Sequence, residues 1–80
     1  MTVYVDDMKA PFHRMIMCHM IADSEEELHR MADQLGLRRR WYQGDHYDIS
    51  LSKRRLALEL GARPISTRAL VMKVMEQRNG

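Results

Sequence analysis

Met15-Ile16-Met17-Cys18-His19-Met20-Ile21-Ala22 is an unbroken apolar run carrying one histidine. Its length suits a buried strand, although a methionine-rich run is also compatible with a helix. The next segment is less ambiguous. Asp23-Ser24-Glu25-Glu26-Glu27 reads as a helix start, with Ser24 and Glu27 at capping-box spacing and three acids complementing the positive end of the helix dipole. Leu28, Met31, Ala32 and Leu35 then recur at i, i+3, i+4 and i+7, and Gly36 closes the helix.

Around this unit the pattern is weaker. Thr2-Val3-Tyr4-Val5-Asp6 is short and β-branched and predicts a strand, broken at Asp7-Met8-Lys9-Ala10-Pro11, with a loop through Phe12-His13-Arg14. Leu37 to Tyr42 predicts a strand or extended segment, Gln43-Gly44-Asp45 a turn, and His46-Tyr47-Asp48-Ile49 a short strand that pairs back as a hairpin. Ser52 predicts the cap of a second helix through Leu56, Ala57 and Leu60, ended by Gly61. Arg63-Pro64-Ile65 is extended, because the residue before proline avoids the helical region. Ser66 caps a third helix carrying Leu70, Val71, Val74 and Met75. The expected order is β-β-α-β-α-α. This is an α/β (α+β) fold with a small sheet of three to four short strands, packed by two to three helices.

Eighty residues make one domain, 1–80, with 62–80 as a C-terminal extension holding the third helix. So small a domain is often marginal alone, and a single cysteine, Cys18, excludes an intrachain disulfide and a cysteine-rich zinc site. The expectation is a homo-oligomer. No basic-then-apolar leader opens the chain, and no apolar run nears the ~20 residues of a membrane helix, so a cytoplasmic protein without membrane contact is expected. Net charge is +2 but unevenly spread. Residues 1–37 hold three Lys/Arg against seven Asp/Glu, and residues 38–80 ten against four. That asymmetry points to an anionic partner or to head-to-tail pairing; otherwise it is a solvated surface.

The chemistry-bearing residues form two sets. The first is basic and aromatic and spans 38–55: Arg40, Trp41, His46, Tyr47, Asp48, Ser52, Lys53 and Arg54 are the candidate ligand-binding residues. A helix opening on Ser52-Lys53-Arg54-Arg55 puts cations where the dipole favours acids, which fits a first turn held ready for phosphate. Trp41 or Tyr47 would stack on a base, and His46 or Asp48 would read its edges. The plainer alternative makes Trp41 and Tyr47 core residues with arginines lying over them. The set favours a nucleotide or other phosphate-bearing small molecule, leaves non-specific nucleic acid open, and gives no support to a sequence-specific DNA reader.

The second set is Asp6, Asp7, His19, His46 and Asp48, the candidates for catalysis by a metal-dependent hydrolase or nuclease. His46 and Asp48 share one strand face. No spacing matches an established metal motif, so no metal or cofactor is assigned, and a lone histidine in an apolar run is more often a hydrogen-bonded core residue. Cys18 and His19, as strand neighbours, point to opposite faces, which makes Cys18 a buried structural thiol rather than a nucleophile. The sequence leans towards a binding module rather than an enzyme, with a protein-interaction module or inhibitor as a third class.

Tyr4-Val5-Asp6-Asp7, Cys18-His19-Met20-Ile21-Ala22-Asp23, Trp41, His46-Tyr47-Asp48, Ser52-Lys53-Arg54, Ala57 and Gly61-Ala62 resemble, in order and spacing, the small proteins of domain-of-unknown-function family 4031. The resemblance covers residues 1 to about 62. It implies a compact α/β module from a bacterium or phage and brings no established activity. A phage source would suit a protein that sequesters a host nucleotide signal to evade host defence, an inference by analogy.

Overall fold

A computed structural model describes residues 2–80. Its elements are β1 (Val3–Val5), β2 (Ala10–Phe12), β3 (Met15–Ala22), α1 (Glu25–Gln34), a single 3-10 turn (Arg39–Trp41), β4 (Tyr47–Ser50), α2 (Leu51–Glu59), β5 (Arg63–Pro64) and α3 (Thr67–Asn79). The fold class is the expected one, a small sheet packed by helices; the sheet is mixed and has five strands rather than three to four, with three helices.

The apolar run is the sheet's central strand. Met17 and Met20 of β3 each have partners on both sides. Met20 faces Val5 and Tyr47, and Met17 faces Ala10 and Ser50. So β4 occupies one edge of β3, while β1 and β2 share the other, and β5 lies parallel outside β1. β1 and β2 are therefore one interrupted strand. Their registers on β3 differ by two residues, and residues 6–9 bulge out between them. The segment read from sequence as loop thus contains a strand, Ala10–Phe12, and only His13 and Arg14 turn, His13 with φ 55°. A two-residue hairpin needs such a positive φ for its twist to match the strands.

Alternation along β3 sorts its side chains. Cys18, Met20 and Ala22 join Val3, Val5, Tyr47, Ile49 and the apolar stripe of α1 in one core, with Ala57 of α2. His19 and Ile21 point to the other face, beside Tyr4 and Asp48, their cross-strand partners. α3 lies there, with Leu70 buried and Lys73 Nζ 4.4 Å above the Tyr4 ring.

α1 starts and ends as predicted. Ser24 Oγ accepts from the Glu27 N–H. The bonds Leu37 N–H to Ala32 O and Gly36 N–H to Asp33 O form a Schellman close around Gly36, whose φ is 76°. α2 ends the same way at Gly61, φ 105°.

Three expectations are corrected. Residues 37–42 form no strand and no hairpin with 46–49: the Trp41 and Tyr42 N–H groups bond to Arg38 and Arg39 carbonyls, and β4 pairs with β3 instead. Burying Tyr47 and Ile49 against β3 outweighs a local hairpin between arginine-rich and polar segments. α2 is capped by Ser50, whose Oγ accepts from the Lys53 N–H, so the helix begins before Ser52. In α3 only Leu70 of the expected stripe is buried; Val71 and Met75 stand exposed.

Candidate metal centre

The break between β1 and β2 builds the centre. Where the ladder to β3 stops, the Asp6 side chain takes over from backbone. Its Oδ1 accepts the His19 backbone N–H at 2.7 Å, and its Oδ2 lies 2.8 Å from His19 Nδ1. The Asp6 carbonyl, freed from the ladder, accepts from Arg54 Nε at 2.7 Å. Asp6 is fully buried, and these bonds satisfy it. A bulge that re-aims side chains is a common device beside functional sites.

With Nδ1 facing a carboxylate, His19 carries its proton there and turns Nε2 outward as an acceptor. His46 repeats the arrangement. Its Nδ1 lies 2.5 Å from Asp45 Oδ1, which leaves Nε2 free. Asp48 Oδ1 stands 3.3 Å from His46 Nε2 and 3.7 Å from His19 Nε2. All three atoms fall within 4.8 Å of one another. Asp48 Oδ2 accepts from Gln43 Nε2 at 2.7 Å, but Oδ1 is shut off from solvent and accepts no hydrogen bond.

With both rings neutral, three acceptors face one another with no donor between them. Such a group is repulsive by itself and is relieved by a cation. Donors held ~2.0–2.1 Å from a tetrahedral zinc stand ~3.3 Å apart; Asp48 Oδ1 stands 3.3 and 3.7 Å from the two Nε2 atoms, and the set, spread over up to 4.8 Å, would close around an ion. The residues suit a first-row divalent ion with two imidazoles, one carboxylate and an open position.

Of the five residues predicted for acid–base or metal chemistry, His19, His46 and Asp48 converge as donors. Asp6 stands behind His19. Asp7 is elsewhere: it is exposed, and its Oδ1 accepts from the Thr67 N–H at 3.3 Å, at the start of α3. Sequence reasoning missed Asp45, Gln43, Thr67 and Arg78. Asp45 carried a signal in its place beside His46, but it read only as part of a turn. Arg78 donates to Asp45 through Nε at 2.9 Å and also through Nη2. Burial pushes the Asp45 carboxyl up, but hydrogen bonds from His46 and Arg78 overcome this and hold it below its ordinary value.

The eight candidate ligand-binding residues do not assemble. Tyr47 is fully buried on the core face, where its hydroxyl lies 2.8 Å from His29 Nδ1, so it presents no ring for stacking. Trp41 and Arg40 are exposed on the 3-10 turn. Ser52 is an exposed residue of the first turn of α2, its Oγ 3.1 Å from that of Ser50. Lys53 Nζ reaches the end of α1, 3.9 Å from where a Cβ on Gly36 would lie, and a cation is favoured at a helix C-terminus. Arg54 serves the Asp6 carbonyl. Two cations of the Lys53-Arg54-Arg55 run thus have structural partners. Only His46 and Asp48 of this set enter the centre. Cys18 is buried as expected, with Sγ 3.6 Å from the Ile49 carbonyl, and burial raises its thiol to a pKa of about 11.

A family described as Protein of unknown function (DUF4031) matches residues 3–77. The chain belongs to that family, and the match runs beyond residue 62 through most of α3. No curated protein and no solved structure matches it. No helix among the described residues is long and apolar enough to cross a membrane.

Proposed function

We propose that this member of the DUF4031 family is a small metal-dependent hydrolase acting on phosphate esters. One observation carries the reading: two histidine Nε2 atoms and Asp48 Oδ1 converge without a donor, and each histidine is backed by its own carboxylate. Structural zinc sites are closed by four protein ligands, whereas hydrolytic ones keep three and leave a position for water. A metal there would supply a hydroxide near neutral pH and polarise a phosphoryl oxygen. Arg54, half-buried, is fixed through Nε and has no carboxylate partner among the described residues, which supports an anionic substrate beside the Asp6 bulge.

Calorimetry with Zn²⁺, Mn²⁺ and Fe²⁺, followed by assay of the loaded protein on bis(p-nitrophenyl) phosphate and a nucleotide panel, tests this. The expected result is one ion per chain and turnover, both lost in His46→Ala. Absence of any metal binding by the wild-type chain removes the site. Metal binding with nucleotides retained intact replaces the hydrolase by a metal-assisted nucleotide-binding module.

A further inference from the structure

Both carboxylates that orient the histidines are gripped by the same helix, at its opposite ends. At the start of α3 the Thr67 hydroxyl stands 3.1 Å from Asp6 Oδ2 and 3.3 Å from Asp7 Oδ1, sharing its proton between them. Eleven residues later Arg78 holds Asp45 Oδ2 with two N–H groups. The two grips are ~16 Å apart along the helix at 1.5 Å per residue. Two chains of contact result: Thr67 to Asp6 to His19, and Arg78 to Asp45 to His46.

The apolar docking of this helix is narrow: Leu70 is its one buried residue among those described, with Ala69 and Val74 half-buried. Its polar contacts include Lys73 over Tyr4, the bond from Gln77 Nε2 to the Ala22 carbonyl at 2.8 Å, and the Asp7 cap. Its outer face, Val71, Met72 and Met75, is exposed. A helix so lightly packed owes much of its docking to the polar groups at its ends, and those groups meet the residues that aim the metal donors.

We propose that Thr67 and Arg78 are positioning residues of the metal centre, so that docking of α3 and binding of the metal stabilise each other. The proposal rests on the reading of His19, His46 and Asp48 as metal ligands. Coupling of this kind is reciprocal: a docked α3 tightens metal binding by the same factor by which metal tightens docking.

Two measurements test it. The first is Zn²⁺ affinity, by chelator competition, of Thr67→Val, Arg78→Met and the double variant, with Thr67→Ser and Arg78→Lys as conservative rescues. Loss of the carboxylate directly behind a ligand costs ~10–100-fold in affinity; Thr67 and Arg78 act one contact further out, so each single variant should cost up to ~10-fold, with Thr67→Ser near wild type and Arg78→Lys intermediate. The second needs no variant: amide exchange of residues 67–79 in the wild-type chain with and without Zn²⁺, where protection should rise on loading. If the folded double variant binds Zn²⁺ as the wild type does, or if loading leaves α3 exchange unchanged, the coupling is refuted while the metal site stands. If the wild-type chain binds no Zn²⁺, the site reading falls and the coupling with it.

Discussion

The two faces of the sheet are made by alternate residues of the same strands, yet their chemistry is opposite. On one, Cys18, Met20 and Ala22 of β3 meet Tyr47 and Ile49 of β4 under α1 and α2, and the Tyr47 hydroxyl there is paired with His29. On the other, His19 and Asp48 stand opposite each other in the same ladder and Asp48 Oδ1 accepts no hydrogen bond, next to a helix with one buried residue among those described. The difference shows that core packing fixes the site. A one-residue slip of β4 along β3 would turn Asp48 into the apolar layer and Tyr47 and Ile49 out of it, parting Asp48 from His19. The strand register of the centre is thus set from behind, while α3 holds the carboxylates behind its two histidines.

Damage to the first face should cost most in stability and least in site chemistry. Met20→Ala empties a fully buried position and should cost ~2–5 kcal/mol, read as a fall in the urea midpoint with an unchanged slope. The fraction still folded should bind metal as before. Affinity lost in step with stability would mean that the two faces are not separable.

Asp48→Asn should do the reverse. An amide N–H placed among acceptors can donate to a histidine Nε2, while its carbonyl still accepts from Gln43. The metal-free protein should therefore keep its stability or gain up to ~1 kcal/mol. Metal affinity should fall by more than the ~100-fold that marks loss of an orienting group, since a ligand itself is removed. Clear destabilisation of the metal-free variant would show that Asp48 has a structural role that its contacts do not reveal.

The legible parts of this sequence were those in which local pattern and burial agree. The Ser24 cap, the stripe Leu28 to Leu35, Gly36, Gly61 and the Ser66 cap all appear as predicted, because each is decided within one helix; the return bond of the Ser24–Glu27 capping box does not form, and Glu27 Oε2 is buried without a partner among the described residues. Elements decided by distant partners were not legible. Ala10–Phe12 contains a proline and looks like loop, and only its hairpin to β3 makes it a strand. Of the site, His19, His46 and Asp48 were named by residue type, but their meeting depends on the pairing of His19 with Asp48 across β3 and β4. Asp45 had only its place beside His46 as a signal, and Thr67 and Arg78 had no local signature at all. Of the cation run after Ser52, the strongest anomaly by helix rules, Lys53 reaches α1's C-terminus and Arg54 the broken β1 ladder, neither visible from residues 52–55.

Gly36→Ala probes the boundary between the faces more gently. At φ 76° a side chain is strained by ~1–2 kcal/mol, although the nearest atom to an added Cβ is the flexible Lys53 Nζ at 3.9 Å. The expected loss, read by thermal melting, is therefore small. Metal affinity should not change, since α1 packs on the core face alone.

The mildest test uses the one large polar side chain of the core layer. Burial raises the Tyr47 pKa above 10.0, partly offset by Arg39. Folded Tyr47 thus keeps its proton at a pH where the unfolded chain has lost it. Where the unfolded state binds fewer protons, stability falls as pH rises. This contribution is intact below pH 10.0 and fades above it. Tyr42, raised by burial and by Glu25, adds in the same direction. Urea midpoints from pH 9 to above 11 should decline for the wild type. Tyr47→Phe should begin lower, by the ~1 kcal/mol of its lost bond to His29, and decline less steeply. Equal slopes would mean that ionisation of Tyr47 is not what couples this face to alkali, leaving Tyr42, at the edge of the core, as the group responsible.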